Sequence, residues 1–256
     1  MRLEEKVILV VGASQGIARA LVLQLSASKN SFFLTARNSN ELKAIQSEVQ
    51  KNGSECETMV ADALDSEKAK KVIDTAVQAF SKIDIALINA GGAWPVEIDR
   101  ADPRESRQIF EMNTAPVLNY FFPIVEQMMK QPEGGIIAQT NSLAGFQGLP
   151  FSAAYSGSKA SMRIFFDGAR IELKKHKIRL VTLCPGFVST RAHDKGEAPT
   201  PFIISPEKAA RYMRKAISRE KKQKTFPLPL AFATFMGRFT PRFLSEFILS
   251  RQKLNR

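Results

Sequence analysis

The chain reads as one α/β domain built on a doubly wound parallel sheet, and three observations predict it. Short apolar runs alternate with segments of helical apolar spacing along most of the 256 residues. Hairpin signals between the runs are few, so the runs pair in parallel and helices cover both faces of the sheet. No internal repeat or low-complexity linker divides the chain. Residues 1–225 are expected to form the body, and 226–256 a helical C-terminal extension of the same domain.

The elements follow in order. Val7–Val11 is a buried-strand run stopped by Gly12, and Ile17–Leu25 places apolar residues at helical spacing. Phe32–Thr35 is the second strand, and Asn40–Gln50 a helix ended by Asn52-Gly53. A third strand closes at Met59–Ala61, before a helix over Glu67–Phe80. Ile85–Ile88 is the fourth, running into Asn89-Ala90-Gly91-Gly92. A long helical stretch spans Arg104 to Met129, with a kink expected at Pro116 or Pro123, where proline lacks an N–H and crowds the preceding turn. Gly134-Gly135 lead into the strand Ile136–Gln139. Ala154–Lys175 is helical, and Ile178–Leu183 is a strand stopped by Pro185-Gly186.

Composition excludes several classes. Hydrophobic residues at 44% suffice for a large core and rule out a disordered chain. Two cysteines, Cys56 and Cys184, allow no disulfide framework and suit a reducing compartment. Two histidines, His176 and His193, cannot build a multi-histidine metal centre, so no metal is expected. The first apolar run is short and preceded by Glu4 and Glu5, unlike a secretory signal, and no stretch approaches the roughly 20 apolar residues of a membrane span. A cytoplasmic protein is expected. The net charge of +12 is uneven: from Arg211 to Arg256 twelve Lys/Arg face two acids, giving +10 and leaving +2 for the rest. A basic tail on a near-neutral body does not predict nucleic-acid binding.

In sheets of this class ligands bind beyond the carboxyl ends of the strands. After the first strand comes Gly12-Ala13-Ser14-Gln15-Gly16-Ile17-Ala18. Glycines at a strand-to-helix turn let backbone amides approach a pyrophosphate at the helix amino end. After the second strand stands Arg37. An acid there would bind the ribose 2′-hydroxyl of NAD; a guanidinium favours the 2′-phosphate of NADP.

Farther along, Ser142 follows the fifth strand, and Tyr155-Ser156-Gly157-Ser158-Lys159 opens the next helix. The i, i+4 spacing places tyrosine and lysine on one helical face. A free phenol, with a pKa of about 10, is a poor base at neutral pH. A nearby ammonium favours phenolate, so the pair can move a proton to or from a substrate oxygen.

Taken together, Gly12-xxx-Gly16-x-Ala18, Asn89-Ala90-Gly91, Asn113, Ser142, Tyr155-xxx-Lys159 and Pro185-Gly186 resemble the short-chain dehydrogenase/reductase family in order and spacing, over roughly residues 5 to 225. The resemblance implies a Rossmann-type fold and assigns roles position by position. Tyr155 would be the general acid in carbonyl reduction and the base in alcohol oxidation. Lys159 would hold the nicotinamide ribose hydroxyls and lower the phenol's pKa. Ser142 would hydrogen-bond the substrate oxygen as charge develops, and Asn113 would hold a water linking Lys159 to solvent. Gly12, Ser14, Gln15, Gly16 and Ile17 would line the phosphates, with Arg37 at the 2′-phosphate and Asp62 at the adenine. Asn89, Ala90 and Gly91 would wall the adenosine ribose; Pro185, Gly186, Val188 and Thr190 would cover the nicotinamide side.

Four positions depart from the family pattern. Its usual threonine before the first glycine is Val11, its third glycine is Ala18, and the first asparagine of its Asn-Asn-Ala-Gly stretch is Ile88. Neighbouring Val11 and Ile88 would replace a polar contact between strands by an apolar one. The basic residue that NADP-preferring members often carry before the second glycine is Gln15, so cofactor preference rests on Arg37. Around the substrate the resemblance places Trp94, Leu143, Phe146, Phe151, Phe187 and Phe202, suggesting an apolar compound. The loop between Gly186 and Ser205, with His193, Pro199 and Pro201, is the expected lid. His193 is expected at the lid surface and His176 in a solvated helix end.

Beyond Phe226, Phe235, Phe239, Phe243 and Phe247 recur every four residues with Leu244, Ile248 and Leu249, and Pro241 must split the segment into two helices. This stripe would pack on the body or a second subunit, or insert into an anionic membrane surface. The full expectation is an NADP(H)-dependent enzyme interconverting a small-molecule carbonyl and alcohol, working as a homo-oligomer, dimer or tetramer. The alternative is a catalytically idle, NADP-sensing or membrane-recruited interaction protein on the same fold.

Overall fold

The computed structural model describes residues 2–190 and 200–251. Strand and helix alternate through β1 (Val7–Val11), α1 (Gly16–Ser26), β2 (Ser31–Ala36), α2 (Ser39–Lys51), β3 (Glu55–Val60), α3 (Ser66–Phe80) and β4 (Ile85–Ile88). They continue through α4 (Pro103–Met129), β5 (Gly135–Thr140), α5 (Ala153–Leu173), β6 (Ile178–Pro185), α6 (Pro206–Ser218), β7 (Gln223–Phe226), α7 (Leu228–Gly237) and α8 (Arg242–Leu249). A 3₁₀ turn, Leu143–Phe146, lies between β5 and α5. The strands form one parallel sheet in the order β3-β2-β1-β4-β5-β6-β7, so the order reverses between β1 and β4. This is the Rossmann-type arrangement, and its switch point lies beside Gly12 and Asn89.

The sequence of β1 shows why the sheet is covered on both faces. All five residues are buried, yet Ile8 and Val10 join one core while Leu9 and Val11 join the other. Alternate side chains of a strand face opposite sides, so a continuous apolar run requires helices on both. Residues of α1, α2 and α6 complete the first core, and those of α3, α4 and α5 the second. In α1, Ala18 and Ala20 are buried, and a small side chain at the third-glycine position still permits close packing on the sheet.

Local signals set the helix starts. Asp102 and Glu105 form a capping box with Pro103 in the first turn of α4. At α2, α3 and α6 the side chains of Asn38, Asp65 and Ser205 accept from backbone amides of the first turn. The hydrogen-bonded helix α4 runs through both Pro116 and Pro123 to Met129.

Strands β2, β5 and β6 run one or two residues past their expected bounds, and the first and last strands in sheet order also differ. The third spans Glu55–Val60 rather than closing at Ala61, and β7 was not anticipated. Both are the outermost strands of the sheet. Glu55, Glu57 and Val60 are exposed in β3, and in β7 only Phe226 is buried, so neither carries the continuous apolar run of an inner strand.

Phe166 is fully buried, with Phe121 at 5.3 Å between ring centres. Its replacement by alanine should cost about 3–5 kcal/mol, because the cavity adds to the lost transfer energy. Phe239, 70% exposed, should cost under about 0.5 kcal/mol on the same replacement. Urea unfolding of the two variants at fixed cofactor concentration checks the contrast.

Candidate active site

The reading from the sequence concentrates its residues where the strands end, and the structure places most of them there. Gly12 adopts φ +78°, and a Cβ at this position would meet the Ala90 backbone nitrogen at 3.1 Å. That turn therefore requires glycine, and the ends of β1 and β4 come close only because it has no side chain. Gly16, at φ +60°, lies against the Thr190 methyl, 3.3 Å from the position a Cβ would take. Helix α1 has no side-chain cap and no acid in its first turn, unlike α2, α3, α4 and α6. Its amino-terminal amides, flanked by Ser14, Gln15 and Ile17, form the donor set that an anionic pyrophosphate fits.

At the next strand ends, Arg37 is exposed directly after β2 and takes part in no ion pair among the described residues. Half-buried Asp62 follows β3 and accepts a hydrogen bond from the Leu64 backbone at 3.0 Å. Val11 and Ile88 are direct partners in the β1–β4 register, and both are buried. The apolar pair stands where the family pattern has a polar contact. Asn89 instead donates to the Gly12 carbonyl at 3.3 Å and accepts from the Thr140 hydroxyl at 2.7 Å, tying β1, β4 and β5 together.

Ser142, Tyr155 and Lys159 converge beyond β5. The Lys159 ammonium donates to the Thr140 carbonyl at 3.1 Å and stands 5.6 Å from the centre of the Tyr155 ring. The Ser142 hydroxyl accepts from the Ala144 amide at 3.1 Å and also pairs with the Tyr155 phenol. Tyr155 is half-buried, beside the apolar cluster of Val96, Ile109 and Ala154 with Trp94. Burial raises its pKa above the ordinary value; the Ser142 hydrogen bond opposes that shift, and Cys184 adds to it. Burial lowers Lys159 from 10.5 to about 8.

Asn113 is fully buried in α4, donating to Gly92 at 2.7 Å and Ile109 at 2.8 Å and accepting from the Gly92 amide at 3.2 Å. Gly91, at φ +147°, lies between it and the lysine. A Cβ there would come within 2.6 Å of Asn113 Oδ1 and 3.4 Å of Lys159 Nζ.

Pro185 ends β6 and is buried; Gly186 packs against Leu143 and Leu230. Val188 bridges to Ile204, and the Ile204 amide donates to Phe187 at 3.1 Å, so the flanks of the expected lid are pinned together. His193 and Pro199 lie outside the described residues. Of the substrate-side aromatics, Phe146 packs its ring under Arg163, 4.6 Å from the guanidinium carbon, and Phe202 is exposed.

Sequence reasoning missed Thr140 and Asn141. Asn141 accepts from the Ser142 amide at 2.9 Å and donates to the Lys159 carbonyl at 2.9 Å, joining the two segments. The available signal was the polar run Gln139-Thr140-Asn141 ending an apolar strand.

The short chain dehydrogenase family model matches residues 6–199, and the chain belongs to this family of oxidoreductases. It is similar to an uncharacterized oxidoreductase of Myxococcus xanthus, 29% identical over 91% of this chain and 92% of the relative. It is also similar to a versicolorin reductase of Emericella nidulans, 32% identical over 74% of this chain and 71% of that one. A solved short chain dehydrogenase/reductase from Burkholderia phymatum, in complex with NAD, superposes with a TM-score of 0.86. It is 19% identical, and the match covers 98% of this chain and 97% of that one. The chain is accordingly an enzyme of the oxidoreductase class.

The lowered lysine sets a pH dependence. Between about pH 8 and 10.5 the unfolded chain holds the Lys159 proton while the folded protein has released it. Stability therefore gains from this group as pH rises through that window. Against Lys159→Met, the cofactor-free wild type should gain relative stability with a slope approaching about 1 kcal/mol per pH unit. Urea unfolding of both proteins across the window checks it; a constant difference would mean an ordinary lysine.

Proposed function

We propose that the protein is an NADP(H)-dependent oxidoreductase that interconverts an apolar carbonyl compound and its alcohol. The observation that carries this reading is the convergence of Ser142, Tyr155 and Lys159, with the lysine ammonium 5.6 Å from the tyrosine ring. A bound nicotinamide cofactor would supply or accept the hydride. The remaining work is done by side chains. Tyr155, held protonated at neutral pH by burial, donates a proton to the oxygen of a carbonyl being reduced. In oxidation the phenolate form, favoured by the positive charge of Lys159, takes the alcohol proton and becomes the phenol again. Ser142 hydrogen-bonds the same substrate oxygen. Asn113 holds the Gly91-Gly92 backbone that bounds the lysine on its far side.

Gly12, Ser14, Gln15, Gly16 and Ile17 would surround the phosphates, Asp62 the adenine, and Asn89, Ala90 and Gly91 the adenosine ribose. Lys159 would hold the nicotinamide ribose, with Pro185, Gly186, Val188 and Thr190 over the ring. The preference for NADP rests on exposed Arg37 directly after β2, where no carboxylate would repel a 2′-phosphate. An apolar substrate is supported by Leu143 and by the cluster of Trp94, Val96, Ile109 and Ala154 beside Tyr155. Exposed Phe122 and Met129 of α4 and Ile164 and Ile171 of α5 support a homo-oligomer.

Tyr155→Phe removes the transferable proton with little change of volume. Turnover of a carbonyl substrate with NADPH should fall on the order of 10²–10⁴-fold. NADPH binding, followed by fluorescence titration, should be retained; a variant keeping most of its turnover overturns the role.

Arg37→Asp replaces a charge-assisted phosphate contact by a repelling carboxylate. Such contacts are worth roughly 1.5–3 kcal/mol, so the NADPH dissociation constant should rise on the order of tenfold to a hundredfold. NADH affinity should stay level or improve. Titrating both cofactors checks it, and equal losses for the two would remove the preference from Arg37.

A further inference from the structure

The segment after β7 forms two short helices whose inner and outer sides differ. On the inner side, Leu230, Ala231 and Thr234 of α7 are half-buried. A Cβ at Gly186 would lie 2.5 Å from Leu230 Cδ2, so this side seals against the end of β6 and the 3₁₀ turn after Ser142. On the outer side, Phe232, Phe235, Phe239, Phe243 and Phe247 are each more than half exposed. Neither helix buries a single described residue completely. Exposed apolar residues scattered singly need no explanation, but a contiguous patch of this kind marks a contact surface.

Charge decides what fits that surface. Between Leu228 and Arg251 the only acid is Glu246, against Arg238, Arg242 and Arg251, while the seven other Lys/Arg from Arg211 to Lys224 belong to α6, β7 and the turn between them. The Arg251 guanidinium sits over the Phe247 ring, 4.2 Å from its centre, putting a cation at the margin of the apolar face. A second copy meeting this face through its own would set one basic tail against another, a like-charge arrangement that opposes association. An anionic lipid surface accepts both features: acyl chains take the phenylalanines, and headgroups attract the arginines.

We infer that the outer face of α7 and α8 docks the enzyme on an anionic membrane surface. Pro241 separates apolar α7 from α8, a short amphipathic helix, so the pair lies along an interface rather than crossing it. No helix among the described residues is long and apolar enough to span a bilayer. Because α7 also closes against Gly186 and Leu143, docking brings the carbonyl site to the lipid surface. On the oxidoreductase reading above, a substrate dissolved in the bilayer reaches the site from there.

The test compares the full chain with two variants, the triple change Phe239→Ser, Phe243→Ser and Phe247→Ser, and the double change Arg238→Glu and Arg251→Glu. The altered side chains are exposed, and thermal unfolding verifies that both variants remain folded. Co-sedimentation uses phosphatidylcholine vesicles with and without phosphatidylserine, and light scattering reads the oligomeric state. The full chain should bind the anionic vesicles at least about tenfold better than the neutral ones at low salt, with the preference collapsing at high salt. Both variants should lose that binding on the order of tenfold or more while keeping NADPH affinity. No salt-sensitive binding by the full chain, or undiminished binding by the serine variant, overturns the inference. Loss of an oligomer in the serine variant without vesicle binding overturns it too, assigning the face to self-contact. None of these outcomes depends on turnover, so failure of the catalytic reading would show separately in Tyr155→Phe.

Discussion

A buried ammonium with no carboxylate beside it organises the site. Lys159 is 6% exposed, and among the described residues it forms no ion pair. Removing a cation from water is costly, and the lowered pKa is the direct expression of that cost. The surroundings offset it with dipoles: the Thr140 carbonyl accepts one hydrogen bond, and the Tyr155 ring lies nearby. A carboxylate would stabilise the charge more strongly, but it would also offset the positive field that the ammonium sets up around Tyr155.

This arrangement constrains the backbone around it. Gly91 has no freedom to become another residue, since a side chain would collide with Asn113 and press on the lysine. Asn141 holds the Lys159 carbonyl and the Ser142 amide in one hydrogen-bonded unit. These groups meet because β4 and β5 run in parallel register, Ile88 opposite Gln139, so both strands release their next residues at one edge. The apolar Val11–Ile88 pair shows which parts of that edge tolerate change. Asn89 still bonds Gly12 and Thr140, so the link between strands survives without a polar partner at position 88.

Much of this was legible in the sequence because the inner strands are apolar on both faces and the turns after them carry glycine. Val7–Val11 and Ile85–Ile88 were bounded to the residue, since Gly12 and Asn89 end them chemically as well as geometrically. The i, i+4 spacing of Tyr155 and Lys159 placed the two side chains on one helical face, and the structure brings them together. Strands at the edge of the sheet were harder. Glu55, Glu57 and Gln223 face water, so β3 and β7 depend on pairing with a neighbour that local pattern does not reveal. The roles of Thr140 and Asn141 escaped for a similar reason: they act through a backbone carbonyl and an amide bridge between distant segments.

The two ends of the molecule show where periodicity stops being informative. In α1 an apolar stripe is covered by the sheet, and its buried residues enter a core assembled from three helices. In α7 and α8 the apolar residues, broken at Pro241 as the sequence requires, are left largely uncovered by the described residues. Periodicity establishes that a face is apolar; topology determines whether anything within the chain reaches it. The sheet ends at β7, and among the described residues α7 leans on that strand, on Gly186 and on the turn after Ser142. With one side committed to that contact, the opposite side of α7 necessarily points away from the body. A sequence that places phenylalanine there rather than lysine or glutamate adds an exposed apolar surface that folding does not demand.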